Sequence, residues 1–349
     1  WIGMGPEVIR FENELAKKLE AKFAVSVNSC SSALFLSLLV LGIKKNDEVI
    51  CPSLTWCATA NAILQVGATP VFCDVSSGTF SQTIESVTAK VTKKTKAVII
   101  VHFGGLVFDV ISLRKNLPAH IHIIEDAAHA FGGLYPSGKP IGSSGNLVCL
   151  SFYANKNLST GEGGAILLHS ARVATRLSSL RQNAYPANAW KRFTAKKLII
   201  TKDLCELGYK MNYTDFQAAV GRVQLKRQKE FAENRKKIAN IYSQALSSTK
   251  CEPQEGLNSH KHARHLYSIL VPAGIDRYSL LRRSRLQGVG VTIHYIPLHT
   301  MKLYKHKSPL KITDEISPRL LTLPISSSIT KSEAEKAASI FLDELKKLQ

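Results

Sequence analysis

Short apolar runs alternate with helix-like segments along the first half of the chain, and this alternation restricts the fold more than any other feature. The runs are nearly continuous in apolar residues, which is typical of strands that helices cover on both faces. Strands separated by helices pair in parallel. The sequence therefore predicts an α/β fold with a mostly parallel central sheet sandwiched by helices. The predicted strands are residues 48–51, 70–75, 97–102, 120–125, 147–152 and 165–168.

A long basic helix connects the two predicted parts of the chain. Thr214 followed by Gln217 forms a capping box, which starts a helix that extends to about residue 248. We therefore predict a large α/β domain over residues 1–213, a connecting helix over 214–248 and a smaller α+β domain over 249–349. The other predicted elements are helices over residues 6–22, 32–41, 277–287 and 332–347 and strands over 266–271 and 290–295.

The side chains of this connecting helix divide into an apolar stripe and a basic remainder, which is the pattern of an amphipathic helix. The stripe contains Phe216, Val220, Val223, Phe231, Ile238 and Ile241, and the basic remainder contains Lys226, Arg227, Lys229, Arg235, Lys236 and Lys237.

The net charge of the chain indicates which kinds of partner it can attract. The net charge of +20 favours polyanions as partners, either a nucleic acid or a small one such as a nucleotide diphosphate. A basic nucleic-acid-binding regulator is one interpretation, but no helix-turn-helix, zinc-finger or RNA-binding pattern supports it.

The seven cysteines are scattered without a Cys-x-x-Cys pair, which argues against disulfides and favours a reducing cytoplasm. No membrane-spanning run or signal-peptide pattern is present, so no membrane partner is expected.

One lysine lies between an apolar strand and a glycine-rich turn. Lys156 follows the strand predicted at 147–152 and precedes three glycines between 161 and 164, where backbone can approach a ligand closely. Asp126, thirty residues earlier, ends another apolar strand. An amine that can form a Schiff base and an acid that can hold a pyridinium nitrogen are the minimum for a pyridoxal phosphate enzyme. The alternatives are an exposed lysine and an aspartate that caps a helix over 127–131.

A serine-rich segment at the start of a helix offers a phosphate site. Residues 29–32 read Ser-Cys-Ser-Ser and precede the helix predicted at 32–41. Backbone N–H groups and the helix dipole at such a position attract an anion. A serine-rich helix start without any ligand is the alternative.

Six segments carry a resemblance to a known family. The chain resembles the nucleotide-sugar aminotransferases of the DegT/DnrJ group over nearly its whole length, and within it the members that aminate C4 of a 4-keto sugar, such as the lipid A aminoarabinose enzyme. The resemblance implies the pyridoxal phosphate (PLP)-dependent transferase fold of type I, like that of aspartate aminotransferase. The segments are Val27-Asn-Ser-Cys-Ser-Ser-Ala-Leu34, Pro52-Ser-Leu-Thr-Trp56, Ile124-Glu-Asp-Ala-Ala-His129, Ser151-Phe-Tyr with Lys156-Asn-Leu-Ser-Thr-Gly-Glu-Gly-Gly164, Gly208-Tyr-Lys-Met-Asn-Tyr-Thr-Asp215 and Gly290-Val-Thr-Ile-His-Tyr295.

The resemblance assigns roles around the cofactor ring. Lys156 is implied to hold PLP as an internal aldimine and, once displaced, to move a proton during catalysis. Asp126 is implied to keep the pyridine nitrogen protonated, and His129 to lie beside the phenolic oxygen. Trp56 matches the aromatic residue that stacks on the ring and excludes water from one side.

The resemblance also assigns residues to the cofactor phosphate and to the contact between two subunits. By resemblance, the phosphate is bound by the backbone of Cys30 and Ser31 and by the hydroxyls of Ser31 and Ser151. Asn212 matches a residue that reaches the phosphate from the neighbouring subunit. The resemblance therefore implies a homodimer with shared active sites.

The expected reaction is a ping-pong transfer. The amino group passes from an amino acid, expected to be glutamate, through the pyridoxamine phosphate (PMP) form to a nucleotide-diphosphate sugar ketone at C4. His294 and Tyr295 are implied to line the sugar pocket. Amination at C3 is an alternative, although members of that type carry an Asn-Ser-Arg-type sequence where this chain has residues 210–215. A PMP-dependent sugar dehydratase is another, but those members replace the lysine at 156 with histidine.

A histidine-rich segment resembles a metal site at first sight. Residues 260–265 read His-Lys-His-Ala-Arg-His, without nearby carboxylates or cysteines, and they precede a predicted strand. We therefore predict no metal site there.

Overall fold

A seven-stranded, mostly parallel sheet is the centre of the fold. The computed structural model describes residues 1–185, 189–195, 203–304 and 309–349. Most strand residues are buried, as expected of a sheet that lies between two layers of helices. The strands are β1 (Phe23–Val27), β2 (Glu48–Pro52), β3 (Thr69–Cys73), β4 (Thr95–Val101), β5 (His122–Asp126), β6 (Leu147–Ser151) and β7 (Gly164–Leu168).

The strand order places several carboxyl ends at one edge of the sheet. Across the sheet the order is β1-β7-β6-β5-β4-β2-β3. The pairs β2–β3, β2–β4, β4–β5 and β5–β6 are parallel, whereas β7 is antiparallel to both β6 and β1. Ligands of open α/β sheets bind outside the carboxyl ends of the parallel strands. A ligand site is therefore expected at the ends of β4, β5 and β6.

Helices cover both faces of this sheet. They are α1 (Pro6–Lys18), α2 (Cys30–Val40), α3 (Cys57–Gln65), α4 (Ile84–Thr88), α5 (Val110–Lys115), α6 (Ala171–Leu180), α7 (Ala189–Thr194) and α8 (Asp215–Lys226). Phe11 of α1 and Leu113 of α5 belong to the core on one face. Leu36 of α2 and Ile63 of α3 belong to the core on the other. The two cores hold the sheet rigid between them, because protein interiors are close-packed.

The C-terminal part has its own sheet and core. Its strands β8 (Glu252–Pro253), β9 (Tyr267–Leu270) and β10 (Leu320–Leu323) form an antiparallel sheet in the order β10-β9-β8. Tyr242, Tyr267 and Phe341 are fully buried in the core beside it. The helices are α9 (Gln228–Leu246), α10 (Arg277–Leu286), α11 (Lys311–Ile316) and α12 (Lys331–Lys346), and short 3-10 turns occupy Phe103–Gly105, Leu298–Thr300, Lys302–Tyr304 and Ser317–Arg319.

Several predicted elements differ from the observed ones. The strand predicted at 290–295 is wrong, because only Thr292 forms an isolated bridge there, and its partner is Thr322 in β10. Strands β1, β8 and β10 were not predicted from the sequence. Strand β8 has only two residues, and a hydroxyl residue, Ser26 in β1 and Thr322 in β10, interrupts the apolar run of the other two.

The connecting segment forms two helices instead of the single one predicted over 214–248. Helix α8 ends at Lys226 and α9 begins at Gln228, with non-helical backbone at Arg227. The burial of these helices also differs from the predicted pattern of a buried apolar stripe and an exposed basic remainder. Phe216 of the apolar stripe is 71% exposed, whereas Arg235 of the basic remainder is only 3% exposed.

A buried carboxylate anchors the end of β5 from the face opposite the site. Glu125 accepts hydrogen bonds from His102 Nε2 (2.8 Å), Tyr135 Oη (2.6 Å) and Asn146 Nδ2 (2.8 Å), and another from the Ser144 hydroxyl. These donors lower the pKa of Glu125 although burial opposes them. Because neighbouring strand residues point to opposite faces, the next side chain, that of Asp126, is directed to the other face.

Candidate active site

A cavity of about 460 Å³ opens at the carboxyl ends of β5 and β6. Helix α2 points its N-terminus into the cavity, and the segment after α10 closes one side with His294 and Tyr295. The volume suits a small ligand. Its lining includes Ser29, Cys30, Ser31, Trp56, Asp126, His129, Ser151, Lys156, His294 and Tyr295.

Lys156 brings a half-buried amine into this cavity. It belongs to a turn after β6, in which its backbone N–H donates to the carbonyl oxygen of Tyr153 at 2.9 Å. Burial lowers the pKa of Lys156 to about 8, opposed by Cys30 and Asp126 and reinforced by the positive charge of Arg235. A substantial fraction of the amine is therefore neutral near pH 7 to 8, and the neutral amine is the nucleophilic form.

Asp126 presents a buried carboxylate at the end of β5. Its Oδ2 accepts from Thr59 Oγ1 at 2.8 Å, and its Oδ1 accepts from the backbone N–H of Ala128 at 3.2 Å. Both donors are uncharged, and burial raises the pKa of Asp126 against their effect. A cationic group at this carboxylate would oppose that rise. Residues 127–131 form turns, so the helix that Asp126 was alternatively expected to cap does not exist.

His129 and Tyr295 form a hydrogen-bonded pair on the cavity wall. His129 Nδ1 accepts from the backbone N–H of Gly104 at 3.4 Å, so in the neutral ring Nε2 carries the proton. That Nε2 lies 3.0 Å from Tyr295 Oη and donates to it. Burial, and then the charge of Lys156, lower the pKa of His129 well below its usual value. The ring is therefore neutral and can offer only one donor at a time.

The N-terminus of α2 offers a site for an anion. Ser29 caps the helix through its side chain, which accepts from the backbone N–H of Ser32 at 3.1 Å. The backbone N–H groups of Cys30 and Ser31 belong to the first turn, which has no intrahelical acceptors. A Cβ atom at Gly164 would lie 2.7 Å from the nitrogen of Cys30, so only glycine permits this approach of β7 to the helix. Phosphate is the ligand that such a terminus attracts.

The mouth of the cavity carries exposed and polar rings. Trp56 is 61% exposed, and its ring lies 5.9 Å from that of Tyr295 at an interplanar angle of 49°. His294 Nδ1 lies 3.1 Å from Thr322 Oγ1. Burial and the charge of Lys156 lower the pKa of His294 to about 4, so this ring is neutral at physiological pH.

The structure brings together every predicted site residue except Asn212. Asn212 lies outside the lining of the cavity in its own chain, where it bridges Val27 of β1 and donates from Nδ2 to the carbonyl oxygen of Tyr213 at 3.3 Å. The arrangement establishes that the other predicted site residues lie around one cavity.

Two residues near the reactive groups were missed from the sequence. Thr59 donates a hydrogen bond to Asp126 from the first turn of α3, and His265 Nε2 lies 3.4 Å from Lys156 Nζ. Thr59 follows Thr55 at helical spacing, which is a weak local signal. His265 is 109 residues from Lys156 in sequence, so only the fold reveals the contact.

The described ranges contain neither a metal cluster nor a membrane span. No group of three or more His, Cys, Asp or Glu residues within them is arranged to hold a metal ion. In the 260–265 segment, His262 is bonded to Gln254 and His265 to Lys156, so the histidines have different partners. In the same described part of the chain, no helix has the length and apolar character needed to cross a membrane.

The arrangement fits pyridoxal phosphate. Lys156 supplies an amine of lowered pKa, and Asp126 supplies a carboxylate whose hydrogen-bond donors are uncharged. The N-terminus of α2 supplies N–H groups for a phosphate, in the same cavity. An amine, a carboxylate and an anion site are the three groups that this cofactor requires.

Comparison with known proteins gives consistent matches over the whole chain. A model of the DegT/DnrJ/EryC1/StrS aminotransferase family matches residues 1–341. The chain is 36% identical over 361 residues to the spore coat polysaccharide biosynthesis protein SpsC of Bacillus subtilis strain 168, covering 99% of this chain and 91% of SpsC. It is 35% identical over 343 residues to the uncharacterized protein MJ1066 of Methanocaldococcus jannaschii, covering 95% of this chain and 88% of that protein.

A known structure shares the fold. The putative sugar aminotransferase Spr1654 from Streptococcus pneumoniae, in its PMP form, superimposes with a TM-score of 0.91 at 27% sequence identity. The match covers 100% of this chain and 94% of that one. The PLP form of the same protein gives a TM-score of 0.89.

Proposed function

The chain belongs to the DegT/DnrJ/EryC1/StrS aminotransferase family and is a PLP-dependent sugar aminotransferase, and from this premise we propose that it aminates a nucleotide-linked keto-sugar at C4, with glutamate as donor. The fold class predicted from the sequence is confirmed, as are the family and the cofactor. The observation that carries the proposal is the amine of Lys156, with its lowered pKa, in one cavity with the carboxylate of Asp126.

The proposed roles follow from the contacts of each residue. When bound, the cofactor supplies an electron sink for the carbon that loses or gains a proton. Lys156 would attach it covalently and, when released, would carry the proton between two carbons, because about half of its amine is neutral near pH 8. Asp126 holds a proton at the ring nitrogen. The hydrogen-bonded pair of His129 and Tyr295 provides an uncharged wall.

The remaining residues bind and orient. Cys30, Ser31 and Ser151 are proposed to hold the phosphate at the start of α2, where the helix dipole favours an anion. Trp56 is proposed to cover one face of the ring, since it combines an apolar surface with a position at the cavity mouth. His294 and Tyr295 line the same cavity from the segment after α10, and are proposed to contact the sugar.

Two features of the sequence, one residue and one segment, support amination over dehydration and C4 over C3. The sugar dehydratases of this group replace the lysine with histidine, whereas this chain has Lys156. The C3 enzymes usually carry an Asn-Ser-Arg-type sequence where this chain reads Lys-Met-Asn-Tyr-Thr-Asp over residues 210–215. The relative SpsC is named for polysaccharide biosynthesis, which supports a product that enters a polysaccharide.

We propose a homodimer in which Asn212 completes the phosphate site of the partner subunit. Phe216, Val220 and Val223 form an exposed apolar stripe on α8, four to eleven residues after Asn212 along the chain. Such a stripe on a surface helix is typical of an interface with another protein. A second copy is the occupant that would also explain why Asn212 lies outside the cavity of its own chain.

The division into a large domain (1–213), a connecting segment (214–248) and a small domain (249–349) also remains a proposal. It is supported by the separate core around Tyr242 and Phe341 in the C-terminal part. All seven cysteines are free thiols, which supports the proposed location in a reducing cytoplasm.

A substrate panel tests the proposed reaction. The purified enzyme with PLP and glutamate should aminate nucleotide-linked 4-keto-sugars and release 2-oxoglutarate, with the parallel initial-rate lines of a ping-pong mechanism. Product mass and position of the amino group are the measurements, with the Lys156→Ala enzyme as the blank. Amination of 3-keto-sugars alone would contradict C4 specificity, and loss of water without amination would identify a dehydratase.

Mixing two inactive variants tests the shared site. Asn212→Asp should be inactive because a carboxylate repels the phosphate, and Lys156→Ala should be inactive for lack of the amine. In a mixed dimer one site carries both lesions and the other neither, so random mixing should restore about a quarter of wild-type activity. The matched control mixes Lys156→Ala with Asp126→Asn, whose lesions lie in the cavity of their own chains, so both sites stay damaged. If Lys156→Ala with Asn212→Asp gives no more activity than this control although mixed dimers form, the shared site is disproved.

A further inference from the structure

A buried histidine lies directly behind the reactive lysine. His265, in the segment that leads into β9, is 4% exposed and is not part of the cavity lining. Its Nε2 is 3.4 Å from Lys156 Nζ, and its Nδ1 is 3.2 Å from Asn157 Oδ1. The imidazole therefore bridges Lys156 to the side chain of the next residue in the chain.

The hydrogen bonds of Asn157 determine which ring nitrogen of His265 carries the proton. Asn157 Nδ2 donates to the carbonyl oxygens of Phe131 (3.2 Å) and Ala263 (2.8 Å). These two acceptors fix the amide so that Oδ1 faces the histidine. An amide oxygen only accepts, so the proton of the neutral imidazole is on Nδ1. Nε2 is then left as an acceptor directed at the amine of Lys156.

We propose that His265 is a positioning residue, which accepts an N–H bond from Lys156 through Nε2 and thereby directs the reactive lone pair of the amine toward the cavity. This inference rests on the proposed role of Lys156 as the reacting amine. A primary amine on a long flexible side chain rotates freely unless one of its hydrogens is held. Positioning of this kind raises the fraction of molecules in which the reacting atoms are correctly placed.

The charges around His265 exclude a role as the proton acceptor of the reaction. The ring of His129 lies 4.6 Å away, and the positive charges of Lys156 and Arg235 disfavour a proton on His265. Burial, followed by these groups, lowers the pKa of His265 well below its usual value. Lys156 is faced from the other side by Cys30 and Asp126, and its pKa is about 8. A proton on Lys156 therefore remains there.

Helix α9 holds both ends of this arrangement in place. The guanidinium of Arg235 donates to the carbonyl oxygens of Arg264 (3.3 Å) and His265 (3.4 Å). Gln228 Nε2 donates to the carbonyl oxygen of Asn157 at 3.0 Å. Precise placement of a reactive group requires such supporting contacts from rigid elements. They also explain why Arg235 is buried despite its place in the basic remainder of the sequence pattern.

Two substitutions of His265 separate its two hydrogen bonds. His265→Asn keeps an amide donor near the position of Nδ1, facing Asn157, but has no acceptor within reach of Lys156. His265→Gln places an amide oxygen near the position of Nε2 and retains the acceptor. His262→Asn is the matched control, because His262 is a buried histidine of the same segment whose partner is Gln254 rather than the lysine.

The first measurement is the pH dependence of acetylation of Lys156 in the full-length, cofactor-free protein, read by peptide mass spectrometry. An acceptor stabilises the ammonium more than the neutral amine, so its loss lowers the pKa of the amine. In His265→Asn the pH midpoint should fall below that of the wild type by about half a unit or more. The midpoint should be unchanged in His265→Gln and in His262→Asn.

The second measurement is turnover of the PLP-loaded enzyme, which should fall by about 10- to 100-fold in His265→Asn with the donor KM nearly unchanged.

The proposal is overturned if His265→Asn retains the wild-type midpoint and turnover. It is also overturned if His265→Gln is impaired as strongly as His265→Asn, since that pattern indicates a role in packing alone. Failure of the proposed function is a different result. Borohydride reduction of the wild-type enzyme would then label a lysine other than Lys156, whatever residue is present at 265.

Discussion

Replacement of Lys156 by alanine is expected to lower aminotransferase turnover by at least about 10⁴-fold. The substitution removes the covalent attachment of the cofactor and the group that carries the proton, and general acid–base catalysis alone contributes up to about that factor. Turnover with glutamate and a nucleotide-linked 4-keto-sugar is the measurement. The control is Lys94→Ala, which removes an exposed lysine far from the cavity lining.

The fold of the Lys156→Ala variant is expected to remain intact. Burial lowers the pKa of Lys156 from 10.5 in the unfolded chain to about 8, so between these values the unfolded state binds more protons. The free energy of unfolding of the wild type should therefore gain a positive pH dependence in this window, which the variant lacks. Borohydride reduction and peptide mapping of the wild type must locate the cofactor on Lys156. A label on another lysine, or turnover in the variant within tenfold of wild type, would contradict the assignment.

The sheet could be predicted because its parallel strands are buried on both faces. Such strands read as continuous apolar runs, a signal that depends on local sequence alone. Strand β10, with the sequence Leu-Leu-Thr-Leu, is only four residues long, and β1 contains Ser26. The polar residues have particular uses: Ser26 contacts Glu12, and Thr322 contacts Ser268. Tertiary contacts of this type decide strand formation but leave no local pattern.

The amphipathic pattern of the connecting segment shows a similar limit. Phe216 belongs to the apolar stripe and yet is exposed, and we propose that a second subunit covers it. Arg235 belongs to the basic remainder and yet is buried, because the backbone carbonyls of residues 264, 265 and 325 accept its hydrogen bonds. Periodicity shows that a helix has two faces. It does not show which face meets the core of the same chain.

The residues of the candidate site also fall into two groups, those that the local sequence indicates and those that only the fold reveals. Lys156, Asp126 and the serine-rich start of α2 each lie in a short segment with its own chemical signature, so the sequence could indicate them. Thr59 and His265 act on those groups from elsewhere in the chain, across 67 and 109 residues. Groups that position a reactive residue are generally of this second kind, since they need only the correct location.

Replacement of Asp126 by asparagine is expected to lower turnover by about 10² to 10³-fold while the protein still binds the cofactor. The carboxylate is buried with uncharged donors, so a cationic ring nitrogen is the partner that its charge would stabilise. Removal of one member of a buried charge pair costs about 2–5 kcal/mol, or about 30- to 5,000-fold in rate, which brackets this range. The amide has the same size, and the Thr59 hydroxyl can either donate or accept, so packing is preserved. Steady-state turnover and cofactor titration are the measurements.

The adjacent carboxylate provides the control, because Glu125 points to the opposite face of β5. Glu125→Gln places an amide N–H among donors and should cost about 1–3 kcal/mol of stability, while turnover per folded molecule stays near wild type. Because the pKa of Glu125 is lowered in the folded state, the stability that depends on its charge is present above pH 4.5 and is lost as the pH falls below it. Asp126→Asn should show the reverse pattern, with stability largely retained and turnover lost. If Asp126→Asn turns over near the wild-type rate, the carboxylate has a structural role like that of its neighbour, and the proposed proton on the ring nitrogen must be held by another group.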